Sequence, residues 1–297
     1  MASMTTKDSA VSSVPADFDG VLLLGATGRL GSMLRRHWPE PQALRSQSRQ
    51  PRPGFYNFDL PAAGEGPSDA AISAARGARA VIALAGVTPA RAGACGAPLE
   101  DNVTLALAAL KLAEAAAVPR FFVASSAAVY GAQDGPLRED MPCAPLSEYG
   151  RQKLAMEQAV REAQGKTAVT ALRIGNVVGA DAILGGWQPA MQIDRFPDGA
   201  TPSRSYIGPV TLARVLCALC HVDDLPPVLN IAAPGAVQMG ALLDAAGLAW
   251  QPKPAPDAAI PKVRLDTNAL ECHVDFTPET QTPAGLVREW QQDMNKR

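Results

Sequence analysis

The feature that most constrains this chain is a glycine-spaced turn set directly after an apolar run. Residues Val21–Leu24 read VLLL, and the chain continues GATGRLG through Gly25, Gly28 and Gly31. A short apolar run that breaks into glycines and then a helical pattern reads as buried strand, tight turn and helix start. The first glycine permits the turn, the second lets the backbone approach a diphosphate, and the third lets the helix pack on the strand. Free amides at the helix start, with the helix dipole behind them, favour negative charge. Gly25, Thr27, Gly28, Arg29, Leu30 and Gly31 therefore form a candidate cradle for a dinucleotide pyrophosphate.

The pattern downstream extends that turn into an architecture. A helix is expected over 32–38, ended near Pro39, and a strand over 42–49. Further strands are expected over 80–85, 120–125 and 167–174, with helices over 105–117 and 149–163. Short apolar strands alternating with helices imply βαβ units, hence an α/β fold with a doubly wound parallel sheet of Rossmann type. With 297 residues, the expected division is a polar frayed tail over 1–17, a dinucleotide-binding domain over 18–180, and a small C-terminal substrate-binding region over 181–297 interleaved with the first. The tail has no apolar h-region, so no secretory signal is expected. Glycine and proline crowd residues 181–206, which read as a loop or small cap. Residues 252–261 read as a Pro-rich surface connector.

Composition excludes several function classes. Hydrophobic residues are 47% and charged residues 19%, so the chain folds around a core. A net charge of −2 and 5% aromatics offer no footprint for nucleic acid or anionic membrane. No apolar run approaches the ~18 residues of a membrane span. The cysteines (Cys95, Cys143, Cys217, Cys220 and Cys272) are odd in number and loosely spaced, which fits reduced thiols in a cytoplasm. Cys217 and Cys220 precede His221, but the segment reads as an amphipathic helix and no second pair completes a metal site. His37 and His273 add no ligand spacing, so no metal is expected.

The second strand lacks the acidic residue that usually receives the adenosine ribose. Arg45, Ser46, Gln47, Ser48 and Arg49 stand there instead. Arg45, Ser46 and Arg49 are read as a clamp for a 2′-phosphate, because guanidinium suits phosphate oxygens, and this favours NADP over NAD. Asp59, with Leu60, is placed against the adenine amino group. Leu84, Ala85 and Gly86, at the end of the 80–85 strand, are assigned to the same cofactor site.

Tyr149 and Lys153 are four apart and share one helix face. An ammonium beside a phenol lowers the phenol's pKa, and a Tyr so tuned exchanges a proton with a carbinol or ketone as hydride moves. The wider pattern carries a resemblance. Residues 125–131 read SSAAVYG, 101–103 DNV and 172–179 LRIGNVVG, while 204–213 read RSYIGPVTLA and 228–247 VLNIAAPGAVQMGALLDAAG. With the glycine turn and the Tyr149–Lys153 pair, these segments occur in the order found in the extended short-chain dehydrogenase/reductase superfamily. From about residue 20 to 250 the chain resembles the NAD-dependent epimerase/dehydratase family.

That resemblance implies roles. Tyr149 is the general acid/base, and Lys153 holds the nicotinamide ribose and tunes Tyr149. Ser126 bonds the reacting oxygen, Ser125 lines the nicotinamide side, and Asn102 supports the site. Asn176 touches substrate and Arg204 pairs with an anionic group of it, with Trp187 at the pocket wall. A homodimer is also implied. Ala127 and Ala128 stand where dehydratases of the family carry an acidic pair, so elimination is not expected. The short stretch between Asn176 and Arg204 departs from enzymes that grip a full nucleotide-sugar. The reading is an NAD(P)-dependent epimerase or reductase acting on a sugar or related small molecule. The alternative is a non-catalytic NAD(P)-binding redox sensor or assembly factor.

Overall fold

The computed structural model describes residues 18–62 and 64–297; the expected tail over 1–17 lies outside the described residues. The chain begins β1 (Val21–Leu24), α1 (Arg29–His37), β2 (Leu44–Ser48), β3 (Tyr56–Asn57), α2 (Asp69–Ala75) and β4 (Ala80–Ala83). It continues α3 (Pro89–Cys95), α4 (Asp101–Ala115), β5 (Arg120–Ser126), β6 (Pro136–Leu137), α5 (Glu148–Glu162), β7 (Ala168–Ile174) and β8 (Asn176–Val177). Then come β9 (Gln192–Arg195), β10 (Ser203–Arg204), β11 (Tyr206–Ile207), α6 (Pro209–Leu219) and β12 (Val228–Ile231). The last elements are β13 (Val237–Gln238), α7 (Met239–Ala245), β14 (Gln251–Pro254), β15 (Lys262–Leu265), α8 (Asn268–Glu271) and α9 (Pro283–Met294).

Seven strands form one sheet in the order β12-β7-β5-β4-β1-β2-β3, and every pairing is parallel. Parallel strands are buried on both faces, which is why β1 and β4 are apolar at every position. The period-2 alternation of side chains sorts them into two cores. Val21, Leu23, Ile82, Phe122 and Leu172 meet Met33 and Leu34 of α1 and Leu212 and Leu216 of α6. Leu22, Leu24, Val81, Phe121 and Val123 meet Ala71 and Ala75 of α2, Ala109 and Ala113 of α4, and Met156 of α5. Alanines on α2 and α4 let both helices lie close to the sheet. Each large aliphatic side chain so buried contributes roughly 1.5–3 kcal/mol.

The chain runs outward from β1 to β3, then crosses to β4 on the other side of β1. That reversal opens a crevice at the carboxyl ends of β1 and β4, where folds of this kind take ligands. The turns after β1, β4 and β5 all open at this edge.

Past residue 180 the chain is not a separate body, because β12 completes the main sheet beside β7. A four-stranded sheet, β13-β10-β15-β6, and a third apolar cluster around Tyr206, Leu242, Leu243 and Leu286 complete this half. Two expectations change here. Residues 181–206 hold β9 and β10 rather than only loop, and the Pro-rich segment supplies β14, paired in parallel with β9. Its prolines are tolerated because β14 is an exposed edge strand that pairs on one side only. No helix among the described residues is long and apolar enough to cross a membrane.

Candidate active site

The glycine turn is built for close approach. Gly25 sits at φ +74°, and a Cβ there would lie 2.7 Å from the Ala85 amide nitrogen. A Cβ on Gly31 would lie 2.4 Å from the Gly25 carbonyl oxygen and 2.6 Å from Ala26 Cα. Gly28 donates to the Gly25 carbonyl at 3.0 Å and caps α1 without a side-chain bond. The first turn of α1 carries no acidic residue, while Arg35, Arg36 and His37 fill its last turn. The helix start therefore presents amides and positive dipole to the crevice, with no carboxylate to repel an anion. These residues fit a dinucleotide pyrophosphate. Thr27, Gly28 and Arg29 are exposed there and Leu30 is half-buried. Arg29 donates from Nη1 to the Ala180 carbonyl at 3.0 Å, spanning the crevice to the turn after β8.

Gln47, which the sequence reading did not single out as a site residue, braces the turn. Its Oε1 accepts from the Gly25 amide at 3.2 Å and its Nε2 donates to the Phe58 carbonyl at 2.7 Å. It occupies the strand end where the acidic residue was sought, and that position was the available signal.

The expected arginine clamp is corrected in part. Arg45 is 6% exposed, donates from Nη1 to the Ala74 and Arg76 carbonyls at 2.9 and 3.1 Å, and stacks on Phe18 at 3.5 Å. Its Nη1 is held at the end of α2, and the guanidinium is buried beneath the surface rather than open to a phosphate, with Nε lacking a partner among the described residues. Ser46 is buried opposite Leu23. Arg49 is exposed at the end of β2. Asp59 is exposed and Leu60 half-buried just beyond β3, and Leu84, Ala85 and Gly86 are half-buried at the exit of β4.

Ser126 ends β5, and Tyr149 and Lys153 descend from the start of α5, whose first turn is capped by the Ser147 hydroxyl at 3.1 Å from the Gly150 amide. Ser126 Oγ accepts from the Ala128 amide at 3.2 Å, which leaves its proton available. Lys153 is 6% exposed; its Nζ donates to the Ala124 carbonyl at 2.7 Å and lies 5.9 Å from the Tyr149 ring centre. Burial pulls the ammonium down to about 8, against the attraction of Glu157. The expected lowering of Tyr149 is corrected: burial pushes its phenol above the ordinary value, and the neighbouring Ser126 hydroxyl offsets only part of that. At 5.9 Å from the ring, and bonded to Ala124, Lys153 does not outweigh desolvation.

Two neighbours face elsewhere. Ser125 is 4% exposed and donates to Glu157 beneath the site, so it does not line the nicotinamide side. Ser126, the last residue of the strand, is the serine whose hydroxyl lies beside the Tyr149 phenol. Asn102 is 1% exposed. Its Oδ1 accepts from the Val87 amide at 3.2 Å, and its Nδ2 donates to the Val87 and Leu99 carbonyls at 2.9 Å each. Asn102 thus fixes the loop after β4 and is fully engaged in doing so.

On the second half, Asn176 stands opposite Tyr206 in the β8–β11 pair. Tyr206 Oη and Asp181 Oδ2 are buried with no hydrogen-bond partner among the described residues, and burial pushes both groups upward. Neither residue carries a local spacing or motif that marks it in the sequence. Trp187 donates from its indole to the Ala249 carbonyl at 3.0 Å and packs in the third apolar cluster, so it anchors its loop rather than walling the pocket. Arg204 donates to the Ser203 and Ile260 carbonyls at 2.8 and 3.0 Å, which engages the guanidinium assigned to a substrate anion.

Cys217 and Cys220 are buried in the first core cluster. Ligand-type atoms of Glu40, Cys217 and His221 converge within 4.8 Å. Arg79 contacts His221 Nδ1, which brings a guanidinium next to that cluster.

Comparisons with known proteins agree on the fold. A family model described as the NAD dependent epimerase/dehydratase family matches residues 21–225. A UDP-glucose 4-epimerase of Azospirillum brasilense is 38% identical over 84 residues, 27% of this chain and 24% of that protein. A dTDP-6-deoxy-L-talose 4-dehydrogenase (NAD(P)(+)) of Kitasatospora kifunensis is 29% identical over 177 residues, 51% of this chain and 55% of that protein. These matches span from about a quarter to about half of the relatives' own length. Among solved structures, an NAD-dependent NDP-hexosamine 5,6-dehydratase superposes with a TM-score of 0.75 at 18% identity, covering 94% of this chain and 98% of that one. Its reaction is an elimination, so the fold alone does not separate dehydratases from the other members.

Proposed function

Because this chain belongs to the NAD-dependent epimerase/dehydratase family, we propose that it is an NAD(P)-dependent enzyme acting at a carbinol or ketone carbon of a sugar or related small molecule. The observation that carries the reading is the placement of Ser126, Tyr149 and Lys153 at the carboxyl end of β5, on the same sheet edge as the Gly25–Gly31 turn.

The nicotinamide cofactor, when bound, supplies a carbon that accepts or gives hydride. The chain does the rest. The amides opening α1 hold the pyrophosphate, with Gln47 stiffening the turn from behind. Lys153, whose Nζ is tethered 2.7 Å from the Ala124 carbonyl, would hold the ribose hydroxyls. Ser126 Oγ donates to the reacting oxygen. Tyr149 Oη gives that oxygen a proton when a ketone is reduced, or takes the carbinol proton when an alcohol is oxidised. A phenol held above its ordinary pKa is protonated at neutral pH, which suits the donating direction. Half-buried Ala127 and Ala128 offer no acid for a leaving hydroxyl, so elimination is not part of the proposal.

With Arg45 engaged inside the fold, preference for NADP rests on Arg49. Arg49→Ala is expected to weaken NADPH binding by about 10–100-fold, the worth of a charged hydrogen bond, and to leave NADH binding unchanged. Arg45→Met is expected to lower the melting temperature and leave the NADPH-to-NADH ratio unchanged. Fluorescence titration of the two nucleotides checks both.

Mass spectrometry of nucleotide released from the denatured protein tests the reaction type. One equivalent of retained NAD supports an epimerase that recycles hydride internally and overturns the NADP preference. Empty protein that binds NADPH more tightly than NADH supports a reductase.

A further inference from the structure

Beneath the proposed site runs a polar chain that its chemistry does not use. Glu157 stands one helical turn beyond Lys153 on α5 and is 2% exposed. Arg173 of β7 grips its carboxylate, with Nε 3.1 and 3.2 Å from the two oxygens and Nη2 2.8 Å from Oε2. The Ser125 hydroxyl donates to Oε1. Arg173 also donates to the Glu139 carbonyl at 3.2 Å and lies over the Tyr130 ring at 4.7 Å. Tyr130 in turn donates to Asn230 of β12 at 2.8 Å.

Stability does not account for such a pair. Desolvating two charges costs about what their attraction returns, and apolar residues of similar volume often serve as well. Lys153 supplies another reason. It is buried, and among the described residues its Nζ bonds only the Ala124 carbonyl and, at 3.9 Å, Met156 Sδ, with no anion in contact. Resting on the reading of Lys153 as an active-site cation, we propose that Glu157, fixed by Arg173 and Ser125, is a positioning residue that keeps Lys153 charged and aimed at the site.

Other charged and titratable groups surround the carboxylate without taking over this part. Arg173 from β7 is paired to it, Tyr130 lies beyond Arg173, and Glu139 meets Arg173 through its carbonyl. Cys143 and, one turn further along α5, Arg161 lie at the outer side. Glu157 is the charge that opposes the desolvation of Lys153.

The test uses the full chain with 13C-labelled lysine, its Lys153 resonance assigned with Lys153→Arg among seven lysines. In the parent protein Lys153 is expected to titrate near 8. In Glu157→Gln the midpoint should fall by about one further pH unit, and Glu157→Asp should recover part of that shift. A folded Glu157→Gln with an unchanged midpoint overturns the proposal. Where Glu157→Gln fails to fold because Arg173 is left unpaired, the double variant Glu157→Met with Arg173→Met carries no buried orphan charge. Its Lys153 midpoint is also expected to fall, and an unchanged midpoint there overturns the proposal equally. A purely structural role would change melting temperature without moving the titration. If the midpoint shifts but the parent protein binds neither NADPH nor NADH, the Glu157 coupling stands and the enzymatic reading fails.

Discussion

Tyr149→Phe is expected to lower turnover by about 10²–10⁴-fold, the usual contribution of a positioned acid/base, while NADPH binding stays within twofold of the parent (roughly the scatter expected when one hydroxyl outside the cradle is lost). The substitution keeps the ring that packs at the head of α5 and removes only Oη. Lys153 stays bonded to Ala124, and Ser126 stays bonded to the Ala128 amide. The assay is oxidation or reduction of the nicotinamide, with sugar nucleotides and simple sugar ketones as trial substrates. Once a substrate turns over in the parent, full turnover in Tyr149→Phe would refute the assignment. Loss of turnover together with loss of nucleotide binding would instead point to a packing defect. The non-catalytic alternative makes the opposite forecast, since a sensor retains its response to nucleotide without this hydroxyl.

Gly31→Ala is expected to damage the glycine turn and the nucleotide cradle together. Its Cβ would fall 2.4 Å from the Gly25 carbonyl oxygen and 2.6 Å from Ala26 Cα. Both neighbours are backbone in the glycine turn, so no flexible side chain can swing aside. Either α1 moves off β1 or the turn opens, at a cost of about 1–3 kcal/mol. Either movement displaces the amides at the start of α1, so nucleotide binding should fall further than stability alone would cause. Thermal unfolding and NADPH titration of the same preparation separate the two. Gly54→Ala is the control, because nothing lies within 4 Å of a Cβ there, although its φ of +76° carries some strain of its own. Nucleotide binding retained in Gly31→Ala would contradict the cradle.

The half of the fold that forms the crevice was legible because its signals are local. The runs VLLL and AVIALA read as strands whose apolar positions follow from burial on both faces; the first matches β1 at every residue, and the second overruns β4 by Leu84 and Ala85, which lie in the loop that follows. Helix α1 begins at Arg29 rather than at residue 32, because the glycines that look like loop open its first turn. The two-residue strands of the second half left no trace, since a bridge of that length has no period to read. β14 was hidden by prolines that normally argue against a strand.

Within the site the spacing of Tyr149 and Lys153 was readable, because four residues on a helix is a local distance. The faces of strand residues were not. Ser125 stands in the right segment but turns to Glu157 beneath the site, since alternation fixes that neighbours oppose one another but not which face is which. Arg45 shares the face of Gln47 but lies two residues short of it along β2, level with Leu22 and against the end of α2. Gln47 and the Glu157–Arg173 pair escaped for a further reason. Their meaning lies in partners brought from other strands, and one chain without alignment gives no register for those contacts.

The central claim is that the Gly25–Gly31 turn holds a nicotinamide dinucleotide beside Tyr149. Titrating the purified chain with NADPH and with NADH, followed by nicotinamide fluorescence, tests it most directly. Saturable binding is predicted, tighter for NADPH by about tenfold or more and lost in Gly31→Ala. Absence of binding by either nucleotide in protein that mass spectrometry shows to carry no retained nucleotide, or equal binding in the parent and Gly31→Ala, would contradict it.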